Sequence, residues 1–227
     1  MIVFTKNKKK INKNVCQDMS SVWIWGNHAT KSLIKNRKRK IIKARMLYTK
    51  LEEYGKLIEK NKIEIVERKI LDQMFGQQHQ GIAIVAEQLE FLSLEDWLKK
   101  QEQKSLLIAC DLIEDPHNLG AIIRTATAFG ANGLLVTKTK TAPFEGVLAK
   151  SAAGALELLP IIKVSNLACA LTRLKKEDFY ILGLDENGES NWPIVSRKVL
   201  VLGQEGSGLR QLTKRTCDAI ISIDTKK

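Results

Sequence analysis

Asp115-Pro-His-Asn-Leu-Gly-Ala-Ile-Ile-Arg-Thr-Ala-Thr-Ala-Phe-Gly130 lies between two short apolar runs, Leu106-Leu-Ile-Ala-Cys110 and Gly133-Leu-Leu-Val136. Runs that short and that apolar are expected as buried strands, so the segment reads as strand, loop, helix, strand. Pro116 fixes the turn, Asn118 is placed to cap the helix, and Gly130 ends it where a left-handed residue is wanted. Leu119, Ile122, Ala126 and Phe129 recur at helical spacing and are expected to bury one face against the sheet. Arg124 falls off that stripe, on a side otherwise lined by Gly120, Ala121 and Ala128. One arginine among residues that small points to something approaching the helix closely.

The alternation continues on the carboxyl side. Strands are predicted near 159–164, 178–184, 198–203 and 218–223, with helices at about 144–153, 166–176 and 209–216. Continuous apolar strands separated by helices predict an α/β fold, a mostly parallel sheet covered on both faces. On the amino side, Glu87 to Lys104 is polar with scattered apolar residues and reads as a partly helical linker. Before it, a small α/β domain begins with a strand at Val22-Trp-Ile-Trp25 and a turn at Gly26-Asn-His-Ala29 into a helix through about Ile34. A basic loop at Asn36-Arg-Lys-Arg-Lys40 follows, then a strand, or strand and turn, over Ile41 to Tyr48. A helix is predicted over Leu51 to Asn61 with Tyr54, Leu57 and Ile58 on one side. A strand at Ile63 to Val66, a helix at Lys69 to Phe75 and a turn at Gln77 to Gly81 lead into Ile82-Ala-Ile-Val85. The expected division is a basic disordered tail at 1–20, a domain at 21–86, a linker at 87–104 and a larger domain at 105–227.

Charge narrows the partner. Net charge is +12 over 227 residues, and it is unevenly placed: the first fifty residues hold fourteen Lys or Arg and one acid, Asp18. A basic front on a near-neutral body predicts a polyanion, with nucleic acid ahead of an acidic membrane. No apolar stretch follows the basic start as a secretory signal requires, and no run approaches the roughly 20 apolar residues of a membrane helix. Cys16, Cys110, Cys169 and Cys217 form no CxxC pair, which argues against zinc and against a disulfide framework. A cytoplasmic location is expected. His28, His79 and His117 are isolated from carboxylates at ligand spacing and read as turn or RNA-contact residues.

Two further stretches can carry chemistry. Leu202-Gly-Gln-Glu-Gly-Ser-Gly-Leu209 follows the apolar run Val199-Leu-Val-Leu202. Its glycines do not fit G-x-G-x-x-G, no ribose-binding acid follows at the needed spacing, and there is no Gly-Lys-Ser/Thr of a phosphate loop. What remains is a turn whose backbone can approach a ligand closely, with Glu205 in its middle. Lys150-Ser-Ala-Ala-Gly-Ala-Leu-Glu157 is a run of small residues, for which close packing is the default role.

These three stretches, in this order, resemble the SpoU/TrmH family, S-adenosylmethionine-dependent RNA ribose 2′-O-methyltransferases of the SPOUT superfamily. Trp25-Gly-Asn-His-Ala29 and His79-Gln-Gly81 are similar to the L30e-like RNA-binding domain of that family's RlmB-like branch. The resemblance covers about residues 22–223. It implies a catalytic domain whose carboxyl end is tucked into a trefoil knot. The methyl donor would be bent inside that knot, and the protein would be a homodimer with RNA lying near the first stretch. Asn118, Arg124 and Glu205 match the family's polar active-site positions. Gly203 and Ile223, with Leu184 at an earlier strand end, match its donor-binding positions. No metal is implied, because the donor's sulfonium already activates the methyl group.

Physical reasoning on these matched positions suggests roles. Arg124 would clamp the phosphate beside the ribose hydroxyl rather than act as a base, since guanidinium stays protonated. Asn118 would orient this arrangement, and Glu205 would hold the loop geometry or contact the arginine or asparagine. The expected target is a 23S rRNA guanosine, with a tRNA ribose as the alternative. The family continues past the position of Ile223 into a Pro-Met-x-Gly turn and a Ser-Leu-Asn-Val-Ser-Val-Ala segment, neither of which follows here. The expectation is a truncated methyltransferase domain with an incomplete knot. The alternative function is an inactive remnant or an RNA-binding module.

Overall fold

The computed structural model describes residues 21–223; the tail expected at 1–20, with Cys16, lies outside the described residues. In chain order the elements begin β1 (Ser21–Trp25), α1 (Asn27–Lys35), β2 (Ile41–Met46), α2 (Leu51–Tyr54), β3 (Ile63–Ile65), α3 (Arg68–Phe75) and β4 (Ile82–Glu87). Next come α4 (Leu94–Leu98), β5 (Ser105–Cys110), α5 (Pro116–Ala128), β6 (Gly133–Thr137) and α6 (Gly146–Ser151). The last are β7 (Ile161–Val164), α7 (Leu167–Lys175), β8 (Tyr180–Glu189), β9 (Arg197–Leu202), α8 (Gln211–Thr216) and β10 (Ala219–Ile221). They form two compact units: one runs to Leu89 and includes Phe144–Glu157, the other comprises Glu90–Pro143 and everything from Leu158.

The first unit is built on a four-stranded sheet of order β1-β4-β2-β3. β4 is antiparallel to both β1 and β2, and β2 is parallel to β3. Ile82 to Ala86 are all buried, as an inner strand with no polar alternation requires. β1 alternates instead. Val22 and Ile24 are buried, while Trp23 and Trp25 lie on the opposite side, with ring centroids 5.1 and 4.8 Å from that of Phe75. The helix predicted over Leu51 to Asn61 stops at Tyr54. Gly55 follows, and glycine weakens a helix interior by about 1 kcal/mol relative to alanine. Tyr54 and Ile58 still reach the core, but Leu57 is left exposed.

α6 and the turn after it pack on β1 and α1. A β-carbon on Gly154 would fall 3.0 Å from the His28 carbonyl oxygen and closer still to the Ser32 side chain. The small residues of the 150–157 run are what permit that approach. Glu157, at its end, is buried in an ion pair with Arg39.

The second unit is a six-stranded sheet of order β10-β8-β9-β5-β6-β7. Every pairing within it is parallel. Leu107, Ala109, Leu135, Ile162, Ile181, Val199 and Val201 form one core with Leu94 and Trp97 of α4 and with Leu167, Leu171 and Leu174 of α7. The alternate residues Ile108, Cys110, Leu134, Val136 and Leu182 are buried too. Side chains two apart share a face, so both faces of the sheet are covered. This explains why its strands are apolar throughout. The polar stretch after β4 contributes to this core: Leu92 bridges to Ile162, and the Trp97 indole donates to the Asn132 carbonyl at 3.0 Å.

Two details of α5 differ from expectation. Its buried stripe is Leu119, Gly120, Ile123 and Ala126, one step round from the predicted Ile122, and Phe129 is 81% exposed. The helix ends at Ala128, so Phe129 no longer follows helical periodicity. The cap is Asp115, whose carboxylate accepts from the His117 amide at 2.9 Å. Asn118 is the third residue of the helix, and its side chain is free of the capping role.

Candidate active site

Strand order locates the site. The chain winds outward from β5 through β6 to β7, then crosses to β8 and returns through β9, which pairs with the other side of β5. Adjacent connections leaving β5 and β9 therefore diverge, and ligands in parallel α/β sheets bind outside the carboxyl ends at such a switch point. Cys110 of β5 is level with Leu202 of β9. The loop leading to α5 thus emerges beside the glycine-rich turn.

The two emerging segments are joined. Asn118 Nδ2 donates to Glu205 Oε2 at 2.9 Å. Beneath them, Asp111 is almost fully buried and holds Arg210 three ways. One carboxylate oxygen accepts from the Arg210 amide at 3.0 Å and the other from its Nε at 2.7 Å, with Nη2 also 2.7 Å away. This pair ties the exit of β5 to the exit of the glycine-rich turn, so Glu205 is presented on a loop fixed at its base. Neither Asp111 nor Arg210 was singled out from the sequence. Their signal was a charge placed directly after an apolar strand and another directly after a glycine-rich turn.

Gly203 is where the turn comes closest to itself. A β-carbon there would sit 2.5 Å from both the Gly208 carbonyl oxygen and the Leu209 amide nitrogen. Gln204 and Gly208 exchange backbone hydrogen bonds of 3.0 and 2.8 Å across the turn. Gly203→Ala is therefore expected to open the turn and weaken S-adenosylmethionine binding at least tenfold by calorimetry. Unchanged affinity would separate Gly203 from the donor site.

Leu184 directly follows Gly183, the last β8 residue aligned with β9. Ile223 lies two residues beyond β10 and is exposed. Leu184, Gly203 and Ile223 thus lie at or just beyond the ends of the regular pairing in the three neighbouring strands β8, β9 and β10. Main-chain groups at neighbouring strand ends, next to a glycine that admits no side chain, suit a small donor held largely by backbone. Arg124 is on the exposed side of α5 and makes no hydrogen bond or ion pair among the described residues. The structure joins Asn118 to Glu205 but leaves Arg124 unattached to either.

Burial beside the Asp111 carboxylate pushes the Cys110 thiol up to about 12. Burial likewise raises Cys217 to about 11. Both stay protonated at neutral pH and offer no thiolate nucleophile. His79 is a turn residue: Nδ1 accepts from the Gly81 amide at 2.8 Å and Nε2 lies 2.9 Å from Asp72 Oδ1. The described residues include no group of three or more His, Cys, Asp or Glu able to hold a metal, and no helix long and apolar enough to cross a membrane.

Residues 105–227 match the SpoU rRNA Methylase family, and residues 23–92 match the family described as RNA 2′-O ribose methyltransferase substrate binding. The 23S rRNA (guanosine-2′-O-)-methyltransferase RlmB of Vibrio parahaemolyticus is 34% identical over 220 residues, 90% of this chain and 88% of that protein. RlmB of Coxiella burnetii is 34% identical over 88% of this chain and 85% of its own length. Among solved structures, the SpoU methyltransferase AviRb from Streptomyces viridochromogenes in complex with AdoMet superposes with a TM-score of 0.76 at 19% identity, covering 92% of this chain and 82% of that one. An AdoMet-bound rRNA methyltransferase from Sinorhizobium meliloti gives 0.75 at 22% identity over 92% and 80%. The parallel sheet described above is the fold of these enzymes. The chain belongs to the SpoU rRNA methylase family, a family of RNA methyltransferases.

Proposed function

We propose that this protein transfers a methyl group from S-adenosylmethionine to the 2′-hydroxyl of a ribose in RNA, a guanosine of 23S rRNA, acting as a homodimer in the cytoplasm. The observation that carries the reading is the Asn118–Glu205 hydrogen bond at the switch point. It brings the polar residues of two separate stretches together at the sheet end where ligands bind. The RlmB relatives, alike over nearly the whole chain, support guanosine in 23S rRNA as the substrate.

The backbone near Leu184, Gly203 and Ile223 would hold the donor, which supplies a methyl carbon already activated by the adjacent sulfonium. The remaining work falls to the chain's own side chains: to hold a ribose hydroxyl in line and to let its proton leave. Arg124, exposed and without an ion pair among the described residues, has its guanidinium available for the neighbouring phosphate. Its fixed positive charge lowers the hydroxyl's effective pKa without accepting the proton, which passes to the phosphate or to water. Asn118 orients the substrate side, and its bond to Glu205 keeps the glycine-rich turn in register with α5.

Tritiated-methyl transfer to unmodified 23S rRNA, with tRNA in parallel, tests the reading. Digestion of the product is expected to yield 2′-O-methylguanosine, and sedimentation of the same preparation a dimer. Label on a base, or none in either RNA, would overturn it.

A further inference from the structure

The basic front of the sequence contains a built corner. No acid lies between Asp18 and Glu52, and most cations of that stretch in the first unit are neutralised by acids from elsewhere. Lys31 and Lys50 pair with Glu53, and Lys43 and Arg45 with Glu64. Lys35, Arg37, Lys38 and Lys40 are exposed and make no ion pair among the described residues. They surround the turn between α1 and β2.

That turn is held from within. Arg39, between two of the exposed cations, points inward and is 7% exposed. Its Nε donates to the Glu87 carbonyl at 2.6 Å, and its Nη1 pairs with Glu157 Oε1. Asn36 Nδ2 donates to the other Glu157 oxygen at 2.8 Å, while Asn36 Oδ1 accepts from the Lys38 amide at 3.3 Å. The Arg39 amide closes the turn on the Asn36 carbonyl at 3.1 Å. One cation out of five is thus spent inside, and the others are displayed on a backbone that is tied down. A backbone fixed beforehand need not be ordered when the cations bind.

We infer that the Lys35–Lys40 corner is a phosphate-contact surface for the RNA substrate, held in shape by the Arg39–Glu157 pair. The inference rests on the RNA-methyltransferase reading and adds to it where the RNA backbone is gripped. Nucleic acid fits better than an acidic membrane because residues 35–40 include no apolar side chain to insert into a bilayer. Nothing in the corner presents a flat ring for stacking on bases, so the contact is with backbone charge rather than sequence.

The test is filter binding of full-length protein to 23S rRNA across a salt series, comparing wild type with the triple variant Arg37→Ala, Lys38→Ala, Lys40→Ala. These positions are exposed, and an unchanged melting temperature confirms that the variant folds. Each lost phosphate contact should lower the slope of log affinity against log salt by about one, so the triple variant should lose about two to three and bind at least tenfold more weakly at low salt. A wild-type-like slope and affinity would overturn the inference while leaving the methyltransferase reading intact. Failure of wild type both to bind and to methylate RNA would overturn both. Displacement of the RNA by phosphatidylserine vesicles through the same three side chains would assign the corner to membranes and overturn the inference.

Discussion

Replacing Glu157 with glutamine is expected to destabilise the first unit by about 3–5 kcal/mol, the cost of leaving one member of a buried ion pair without its partner. Both side chains are almost fully enclosed, 4% and 3% exposed. Burial already pushes the Arg39 guanidinium down from its ordinary value, and Glu157 opposes that shift. Without the carboxylate, the desolvation of Arg39 is uncompensated, and Asn36 must reorganise around an amide. For a unit of this size the melting temperature should fall by roughly 10 °C or more. The double variant Arg39→Met, Glu157→Leu removes both charges and should recover much of the loss. Thermal denaturation followed by circular dichroism checks both variants; a single variant within 1 °C of wild type would show that the pair contributes little.

The largest effect on turnover is expected at Arg124. Arg124→Ala should lower single-turnover methyl transfer by about 10²–10³-fold, the usual consequence of removing one group that stabilises developing charge in a transition state. Because the side chain is exposed and has no ion pair among the described residues, melting temperature and donor affinity should not change. Arg124→Lys keeps the charge but loses the planar fork suited to a phosphate, and should fall between alanine and wild type. Full transfer by the alanine variant would remove Arg124 from the mechanism.

Much of the fold was legible because its signals are local. The strands of the larger sheet are apolar on both faces, so their positions, and the parallel arrangement, follow from run length and from the helices between them. The ordered motifs identified the family. What was not legible depends on partners distant in sequence. Asn118 is a residue type that caps helices, but Asp115 takes that position because Pro116 begins the helix one residue later. Freed of the cap, Asn118 turns to Glu205, 87 residues away; that contact was one of the two roles expected of Glu205, and only the cap was misplaced. Phe129 fits the helical period on paper, yet the helix ends at Ala128 and releases it. Asp111 looks like an ordinary polar residue at a strand end until Arg210, 99 residues on, is seen to fill its hydrogen-bonding capacity. Leu57 was assigned to a helix that Gly55 does not sustain.

The return of Phe144–Glu157 to the first unit has a consequence for synthesis. A chain emerging amino end first has β1 through β4 available early, yet Arg39 has no carboxylate to bury against until Glu157 has been made. Between those events β5, α5 and β6 are also translated, so the first unit matures only after the second is well begun. The earliest translated sheet therefore waits for its counter-ion until more than half of the chain has been made. A fragment cut at the polar stretch after β4 would keep the four strands of that sheet and lose the counter-ion of Arg39.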